Sequence, residues 1–114
     1  MTESTERPAS DLVPGTLEML ILGTLTRGPL HGYGVTQHIE QSSGGVLTVP
    51  QGSLYPALER LLGKGLVTAA WGRSPTGRRA RYYTITASGR RRLETKVADY
   101  ERVTGAIGRV MSGG

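Results

Sequence analysis

The stretch that decides the fold covers residues 50–86 and reads PQGSLYPALERLLGKGLVTAAWGRSPTGRRARYYTIT. Its first part predicts a helix that begins between Pro50 and Pro56. Ser53 can cap this helix, and Pro56 should lie in the first turn, where the helix needs no N–H donor. The leucines at helical spacing, which should face a core, are Leu54, Leu58, Leu61 and Leu62, and the glycines that close the helix are Gly63 and Gly65.

The hydrophobic period changes after this helix. Residues 66–71 and 80–86 are short segments rich in β-branched and aromatic side chains, which favours strands. The segment between them, residues 72–79, is basic, contains glycine and proline, and is unsuited to a core. The sequence therefore predicts a β-hairpin with a long basic tip.

Two further helices are predicted nearer the N-terminus. Thr16 can cap the first, whose apolar residues between positions 17 and 25 lie around most of the helix circumference. Such a helix should be buried on two sides, once against its own domain and once against another surface. A second, shorter helix is expected to begin at residues 32–34 and to end at residues 42–45.

The last part of the chain returns to a helical period. Its apolar positions alternate steps of four and three residues, the spacing of a seam between packed helices. A chain with 37% hydrophobic residues, one Trp and no Phe also has a small core, which favours a partner subunit. We therefore expect a homodimer. Its predicted interface residues are Leu17, Leu20, Ile21, Leu93, Val97, Tyr100, Ile107 and Met111.

Three helices followed by a hairpin are the arrangement of a winged helix-turn-helix, in which the third helix enters the major groove and the hairpin flanks it. The predicted fold class is α+β, mainly α: a winged helix-turn-helix with a long C-terminal dimerisation helix. We expect a flexible N-terminal arm at residues 1–14, the DNA-binding domain at residues 15–86 and the dimerisation helix at residues 87–114. A chain of 114 residues has room for one compact domain.

The charge of the chain favours an anionic partner. Its formal net charge is +5 and its pI is about 10.1. Nine of its 14 Lys and Arg residues fall between Arg60 and Arg92, a stretch without Asp or Glu. Because this stretch also holds many apolar residues, it is expected to form a folded basic surface of the kind that meets phosphate.

The residues predicted to contact DNA begin on the third helix. Its leucines point inward, so Gln51, Ser53 and Tyr55 should lie where a recognition helix reaches base edges or phosphates. In the alternative interpretation, Ser53 is only a cap and the Tyr55 ring packs on the neighbouring helix. For Ser53 both interpretations stay open, whereas for Tyr55 contact with DNA is favoured.

The hairpin tip supplies the other predicted contacts. Arg78, Arg79 and Arg81 are close enough to straddle a phosphate backbone or to insert into a minor groove. The alternative is an ordinary solvated turn, but the lack of acidic neighbours favours DNA contact. The remaining members of the predicted DNA-binding set are Tyr33, Arg60 and Lys64.

The sequence carries no enzyme or metal signature. Cysteine is absent, and His31 and His38 have no carboxylate at ligand spacing, so neither a metal nor a cofactor is expected. No nucleophile with a placed base and no phosphate-binding glycine loop is present. Residues 1–10 lack the order of a signal peptide, and the apolar stretch 17–25 is too short to span a bilayer. We expect a cytoplasmic protein without membrane contact.

Four segments resemble the PadR-like transcriptional regulators. They are Thr16-Leu17-Glu18-Met19-Leu20-Ile21-Leu22, Gly28-Pro29-Leu30-His31-Gly32-Tyr33-Gly34, Gly52-Ser53-Leu54-Tyr55-Pro56-Ala57-Leu58 and Arg81-Tyr82-Tyr83. The resemblance implies a bacterial regulator, usually a repressor, that binds a palindromic operator in double-stranded DNA as a dimer. It also implies the compact subfamily, in which the single C-terminal helix pairs with its counterpart and with the first helix of the other subunit.

The resemblance also bears on a small-molecule effector. In some compact relatives, flat aromatic compounds bind at the dimer interface with help from a Trp on the C-terminal helix, a position without Trp in this chain. We expect a small aromatic effector between residues 17–25 of one subunit and residues 100–107 of the other. Trp71, expected to cover the core of the hairpin, could alternatively stack beside such a cavity. The rival function is a winged-helix protein-interaction module whose basic face serves an acidic partner.

Overall fold

The computed structural model describes residues 7–8 and 15–113. In chain order the elements are β1 (Arg7–Pro8), α1 (Thr16–Leu25), β2 (Leu30–His31), α2 (Gly32–Ser42), β3 (Leu47–Thr48), α3 (Gln51–Gly63), β4 (Val67–Arg73), β5 (Arg79–Ile85) and α4 (Ala87–Met111). Three helices, a hairpin and a long helix confirm the predicted fold class. Apart from residues 7–8, whose backbone pairs in parallel with β3, the predicted N-terminal arm lies outside the described residues.

The hairpin belongs to a three-stranded sheet with the order β2-β5-β4. β4 and β5 pair antiparallel from Val67 opposite Ile85 to Arg73 opposite Arg79. On its other edge β5 pairs with β2, so that His31 lies opposite Tyr82. β2 was not predicted, and it ties the start of α2 to the hairpin. We call the hairpin of β4 and β5 the wing.

The predicted caps of two helices were wrong. Gly15, in the left-handed conformation with φ of 88°, precedes α1, so Thr16 is its first helical residue. Pro50 rather than Ser53 precedes α3. Pro56 therefore lies in the second turn, not the first. Its missing N–H would have bonded to the carbonyl of Gly52, which is tolerated because Gly52 is exposed to water.

The cap of α2 is a side chain that the sequence interpretation overlooked. The Nδ1 atom of His31 accepts a hydrogen bond from the backbone N–H of Gly34 at 3.0 Å. The ring of His31 also meets Tyr82 edge to face, with 5.4 Å between the ring centroids. His31 thus joins α2 to the wing rather than forming part of a metal site.

The hydrophobic core lies between α1, α2, α3 and the sheet. The predicted leucine stripe of α3 is confirmed, since Leu54, Leu58 and Leu61 are buried and Leu62 packs against the core as a partly buried residue. The largest fully buried side chains are Ile21, Leu22, Leu25, Leu54, Leu58, Leu61, Val35 and Val67. This core fixes α3 and the wing relative to each other.

The start of α4 is anchored to the base of the wing. The hydroxyl of Thr86 accepts a hydrogen bond from the N–H of Gly89 at 3.0 Å and donates one to the carbonyl of Gly65 at 2.8 Å. The N–H of Thr86 also donates to the carbonyl of Leu66 at 3.1 Å. Gly89 is buried at this junction, and Leu93 packs against the core one turn later.

The rest of α4 extends beyond the core. From position 97 to position 111 every residue is exposed. Tyr100 is 49% exposed, Ile107 is 55% exposed and Met111 is 78% exposed. The described part of the chain therefore measures 53 × 40 × 21 Å. The apolar seam predicted for this helix has no covering element within the part of the chain that the structure describes.

Candidate nucleic-acid interface

A groove of about 810 Å³ separates the wing from α3 and the start of α2. We call it the wing groove. Its aromatic and charged lining residues are His31, Tyr33, Tyr55, Glu59, Trp71, Arg78, Arg79, Arg81 and Tyr83. Five members of the predicted DNA-binding set are therefore brought together around one groove, with aromatic surfaces between the arginines.

The middle of α3 lies along one side of this groove, through Tyr55 and Glu59. Gln51 is exposed, and the Tyr55 side chain is 43% exposed. The Tyr55 ring also packs on α2, since a Cβ atom placed on Gly32 would lie 2.8 Å from the Tyr55 hydroxyl. Both interpretations of Tyr55 are thus compatible with the structure: one part of the ring packs on the neighbouring helix and the rest faces the groove.

Tyr33 stands on the α2 side of the groove. It is 64% exposed, and its hydroxyl accepts a hydrogen bond from Gln37 Nε2 at 3.3 Å. Its ring stacks near that of His31 with a centroid distance of 6.4 Å. Tyr33 and Tyr55 thus line the same groove from α2 and α3.

The three wing arginines have different surroundings. Arg78 lies at the exposed tip, while the guanidinium carbon of Arg79 lies 4.5 Å from the centre of the Trp71 ring. Trp71 is 60% exposed, so the expectation that it covers the core was wrong. It instead provides a surface on which Arg79 stacks, a contact that holds the guanidinium in place while leaving its N–H donors free for an anion.

Arg81 lies deeper, at the junction of the wing and α3. Its Nη1 atom is 3.1 Å from Glu59 Oε1, and its guanidinium carbon is 5.7 Å from the centre of the Tyr83 ring. Burial raises the pKa of the Tyr83 phenol, although the nearby Arg81 charge opposes this shift. Tyr83 is therefore a neutral hydroxyl at physiological pH, and the charge at this junction is carried by Arg81 and Glu59.

Four predicted DNA contacts do not line the wing groove: Gln51, Ser53, Arg60 and Lys64. Arg60 Nε lies 3.5 Å from Glu18 Oε2, and Lys64 Nζ lies 3.3 Å from Glu18 Oε1. Glu18 is a buried residue of α1. These ion pairs fasten the C-terminal half of α3 to α1, so the structure gives both cations a packing role that helical spacing alone could not reveal.

We expect Glu18→Gln to lower the free energy of unfolding by about 1–2 kcal/mol. Removing one partner of a buried ion pair costs more, but both cations here are about half exposed and can regain water. Urea unfolding followed by circular dichroism measures the change. Glu94→Gln, an exposed position on α4, is the matched control and should stay within about 0.5 kcal/mol of the unchanged protein. Equal effects of the two substitutions would contradict a fastening role for Glu18.

A second cavity, of about 540 Å³, opens between α1, α2 and α4. Its lining includes Leu20, Gly23, Ile39, Val97 and Tyr100. The predicted effector site paired residues 17–25 of one subunit with residues 100–107 of the other. In the structure, Leu20 and Tyr100 of one and the same chain already face a common apolar cavity.

Glu59 is the site residue that sequence reasoning passed over. The predicted DNA-binding set did not include it. Its position four residues after Tyr55 was the available signal, because such residues share a helix face. Within residues 7–8 and 15–113, no three His, Asp or Glu side chains gather as a metal site, and no helix is long and apolar enough to cross a membrane.

Comparison of the sequence with known proteins gives a family match. The model of the transcriptional regulator PadR-like family matches residues 21–95. Uncharacterized protein X of Lysinibacillus sphaericus is 28% identical over 104 residues, which make up 91% of this chain and 95% of that protein. The negative transcriptional regulator PadR of Bacillus subtilis is 31% identical over 77 residues, which make up 68% of this chain and 42% of PadR.

Solved structures are similar in fold. The PadR-like transcriptional regulator of Bacillus cereus superposes with a TM-score of 0.74 at 26% identity, covering 88% of this chain and 95% of that one. Bacillus subtilis PadR in complex with operator DNA gives a TM-score of 0.63 at 30% identity, covering 71% of this chain and 47% of PadR. The chain thus spans less than half the length of PadR.

Proposed function

Because the chain belongs to the PadR-like family of transcriptional regulators, which are DNA-binding proteins and not enzymes, we propose that it is a homodimeric repressor of a palindromic operator. The observation that carries this proposal is the wing groove, where three arginines of the wing and three exposed aromatic rings, one of them on α3, line a common surface. Family membership favours duplex DNA over the acidic protein partner of the rival hypothesis.

We assign base contacts to α3 and backbone contacts to the wing. Gln51 and Tyr55 present hydrogen-bonding groups at the start of α3, the part of a recognition helix that reaches base edges. Arg78 and Arg79 lie on the projecting wing, where phosphates are the accessible partners. Tyr33 completes the surface on the α2 side. Ser53, which is not a cap, remains a candidate for a phosphate contact.

The unpartnered seam of α4 supports the homodimer. Most of the stability of helices in proteins comes from packing an apolar face rather than from helix propensity. The exposed side chains of Tyr100, Ile107 and Met111 recur at steps of seven and four residues along that face. A second copy of α4 would cover them by two-fold symmetry and would present two copies of α3 to successive turns of DNA.

Repression and its relief are the finer parts of the proposal. The repressor assignment rests on the likeness to PadR of Bacillus subtilis, named a negative transcriptional regulator. For relief of repression, the cavity between α1, α2 and α4 suits a small aromatic molecule, because its lining is mainly apolar. The cavity lies between α1 and α4, the helix that carries the proposed dimer seam. Such a ligand lowers operator affinity only if it binds more tightly to a dimer arrangement that cannot bind the operator than to the arrangement that can. We place this activity in the cytoplasm.

Selection of bound sequences from a random DNA pool, followed by binding measurements over a range of salt, tests the proposal. We expect a palindromic sequence and an affinity that falls steeply with salt, with a slope of about −0.9 on logarithmic axes for each phosphate contacted. Absence of duplex binding at low salt would overturn DNA recognition. Binding that barely depends on salt would remove the role of the arginines.

The wing arginines should act mainly through the backbone. We expect Arg78→Ala with Arg79→Ala to weaken binding to the selected operator and to random duplex by similar factors. The slope of log affinity against log salt concentration should become shallower by about four per dimer, since each subunit loses two phosphate contacts. Fluorescence anisotropy on labelled duplexes measures both quantities.

The matched control is Arg102→Ala with Arg109→Ala. Both side chains lie on the outward side of α4, away from the seam, and the pair removes the same charge. This control should leave the slope nearly unchanged. A wing variant that changes the ratio of operator to random affinity, with no change of slope, would contradict the backbone assignment.

A further inference from the structure

The wing groove holds one acidic side chain among its arginines. Among the lining residues within the described part of the chain, Glu59 alone carries a negative charge, whereas Arg78, Arg79 and Arg81 are positive. Its carboxylate is 62% exposed and accepts a hydrogen bond from Arg81 Nη1 at 3.1 Å. A negative charge at this place opposes the approach of phosphate, so its presence needs a reason other than general affinity for DNA.

Stability does not supply that reason. Both partners of the Glu59–Arg81 pair are substantially exposed, and exposed ion pairs contribute little to folding. The wing is held by other contacts: β5 is bonded to a strand on each edge, and Val67 and Tyr83 are buried in the core. Loss of the pair would therefore leave α3 and the wing where they are.

Position gives Glu59 access to base edges. It lies one turn after Tyr55 on the exposed side of α3, the helix proposed to enter the major groove. A carboxylate accepts hydrogen bonds and donates none, so among the bases it suits the exocyclic N4 amine of cytosine. The same carboxylate repels phosphates that approach when no such amine is present.

We propose that Glu59 is a specificity-determining residue that reads a cytosine amine and, in doing so, releases Arg81 to the phosphate backbone. This inference rests on the proposed function. On a matching sequence the amine takes the place of Arg81 at the carboxylate, and the freed guanidinium neutralises a phosphate. On other sequences Glu59 keeps Arg81 paired, so that neither the base contact nor the extra phosphate contact is made.

Glu59→Gln tests the proposal, because it keeps the size of the side chain and removes its charge. Affinity for random duplex should rise several-fold, with a salt slope steeper by about 0.9 per subunit as Arg81 becomes free. The ratio of operator to random affinity should fall about tenfold or more. Sequences selected from a random pool should lose their preference for cytosine at one position of each half-site.

Two further variants sharpen the experiment. Asp99→Asn removes the same charge from an exposed position on α4 and should change neither the ratio nor the selected sequence. In a background of Arg81→Gln, the substitution Glu59→Gln should no longer steepen the salt slope, because no guanidinium remains to be released. Circular dichroism and thermal unfolding establish that each variant is folded.

The outcomes separate this inference from the proposed function. If Glu59→Gln strengthens binding to operator and random duplex by one common factor, and the selected sequence is unchanged, the carboxylate acts only as a general charge and the inference is overturned. Unchanged binding to both duplexes overturns it as well. If the unsubstituted protein binds no duplex at low salt, the proposed function itself has failed.

Discussion

Replacing Gly89 with alanine is expected to destabilise the fold by about 3 kcal/mol or more, the upper part of the range for overpacking. A Cβ atom at this position would lie 2.1 Å from the carbonyl oxygen of Leu66 and 2.7 Å from Cγ1 of Ile85. That carbonyl is backbone and already accepts the N–H of Thr86. It cannot yield without breaking the link between the wing and α4, so the helix itself must shift.

Thermal and urea unfolding followed by circular dichroism measure this effect. For a domain of this size we expect the Tm to fall by at least about 10 °C. The control is Gly63→Ala at the end of α3, where an added Cβ meets nothing within 4 Å. This control should be neutral or slightly stabilising because alanine has the higher helix propensity. A Tm for Gly89→Ala equal to that of the unchanged protein would mean that α4 does not pack on the wing as described.

The second large effect is expected from Ile107→Asp, which should turn the proposed dimer into a monomer. Ile107 is 55% exposed in the single chain, so an aspartate there leaves the fold of the subunit intact. In a two-fold dimer the two carboxylates would meet a buried apolar seam, where unpaired charge is costly. A monomer reads only one half-site at a time, and operator affinity should fall by about 10²–10⁴-fold because the second contact is no longer intramolecular.

Light scattering at micromolar concentration and operator binding by anisotropy measure the two consequences. Ala106→Asp is the matched control, since it adds the same charge on the neighbouring residue, which lies outside the seam. It should remain dimeric and bind operator normally. A dimer that persists in Ile107→Asp, with unchanged operator affinity, would show that the subunits associate through another surface.

The features that the sequence predicted are those that follow from local periodicity. The leucine stripe of α3 and the change to β-branched and aromatic residues after Gly65 specify a helix followed by a hairpin. The apolar seam likewise marks α4. Its observed span, Ala87–Met111, falls within the expected segment 87–114. Each of these signals is contained in a short window of the chain, which is why one sequence is sufficient to read them.

The features that were missed depend on contacts between distant residues. β2 has only two residues and no period, and it becomes a strand because β5 arrives some fifty positions later. The ion pairs of Arg60 and Lys64 with Glu18 were missed because nothing local reveals that α1 packs against the C-terminal half of α3. Trp71 was assigned to the core from its residue type, whereas Arg79 stacks on it at the surface.

The tip of the wing is closed by contacts made within itself. The N–H of Ser74 donates to the carbonyl of Arg78 at 2.7 Å, and Arg73 Nη1 donates to the carbonyl of Gly77 at 3.0 Å. No residue from 74 to 78 belongs to the core cluster, while the strands below the tip are fixed by β2 and by the core. Insertions or deletions within this segment would therefore lengthen or shorten the reach of the wing and leave the rest of the protein unaltered. Changes at these five positions can therefore adjust how far the wing projects from the protein without altering its fold.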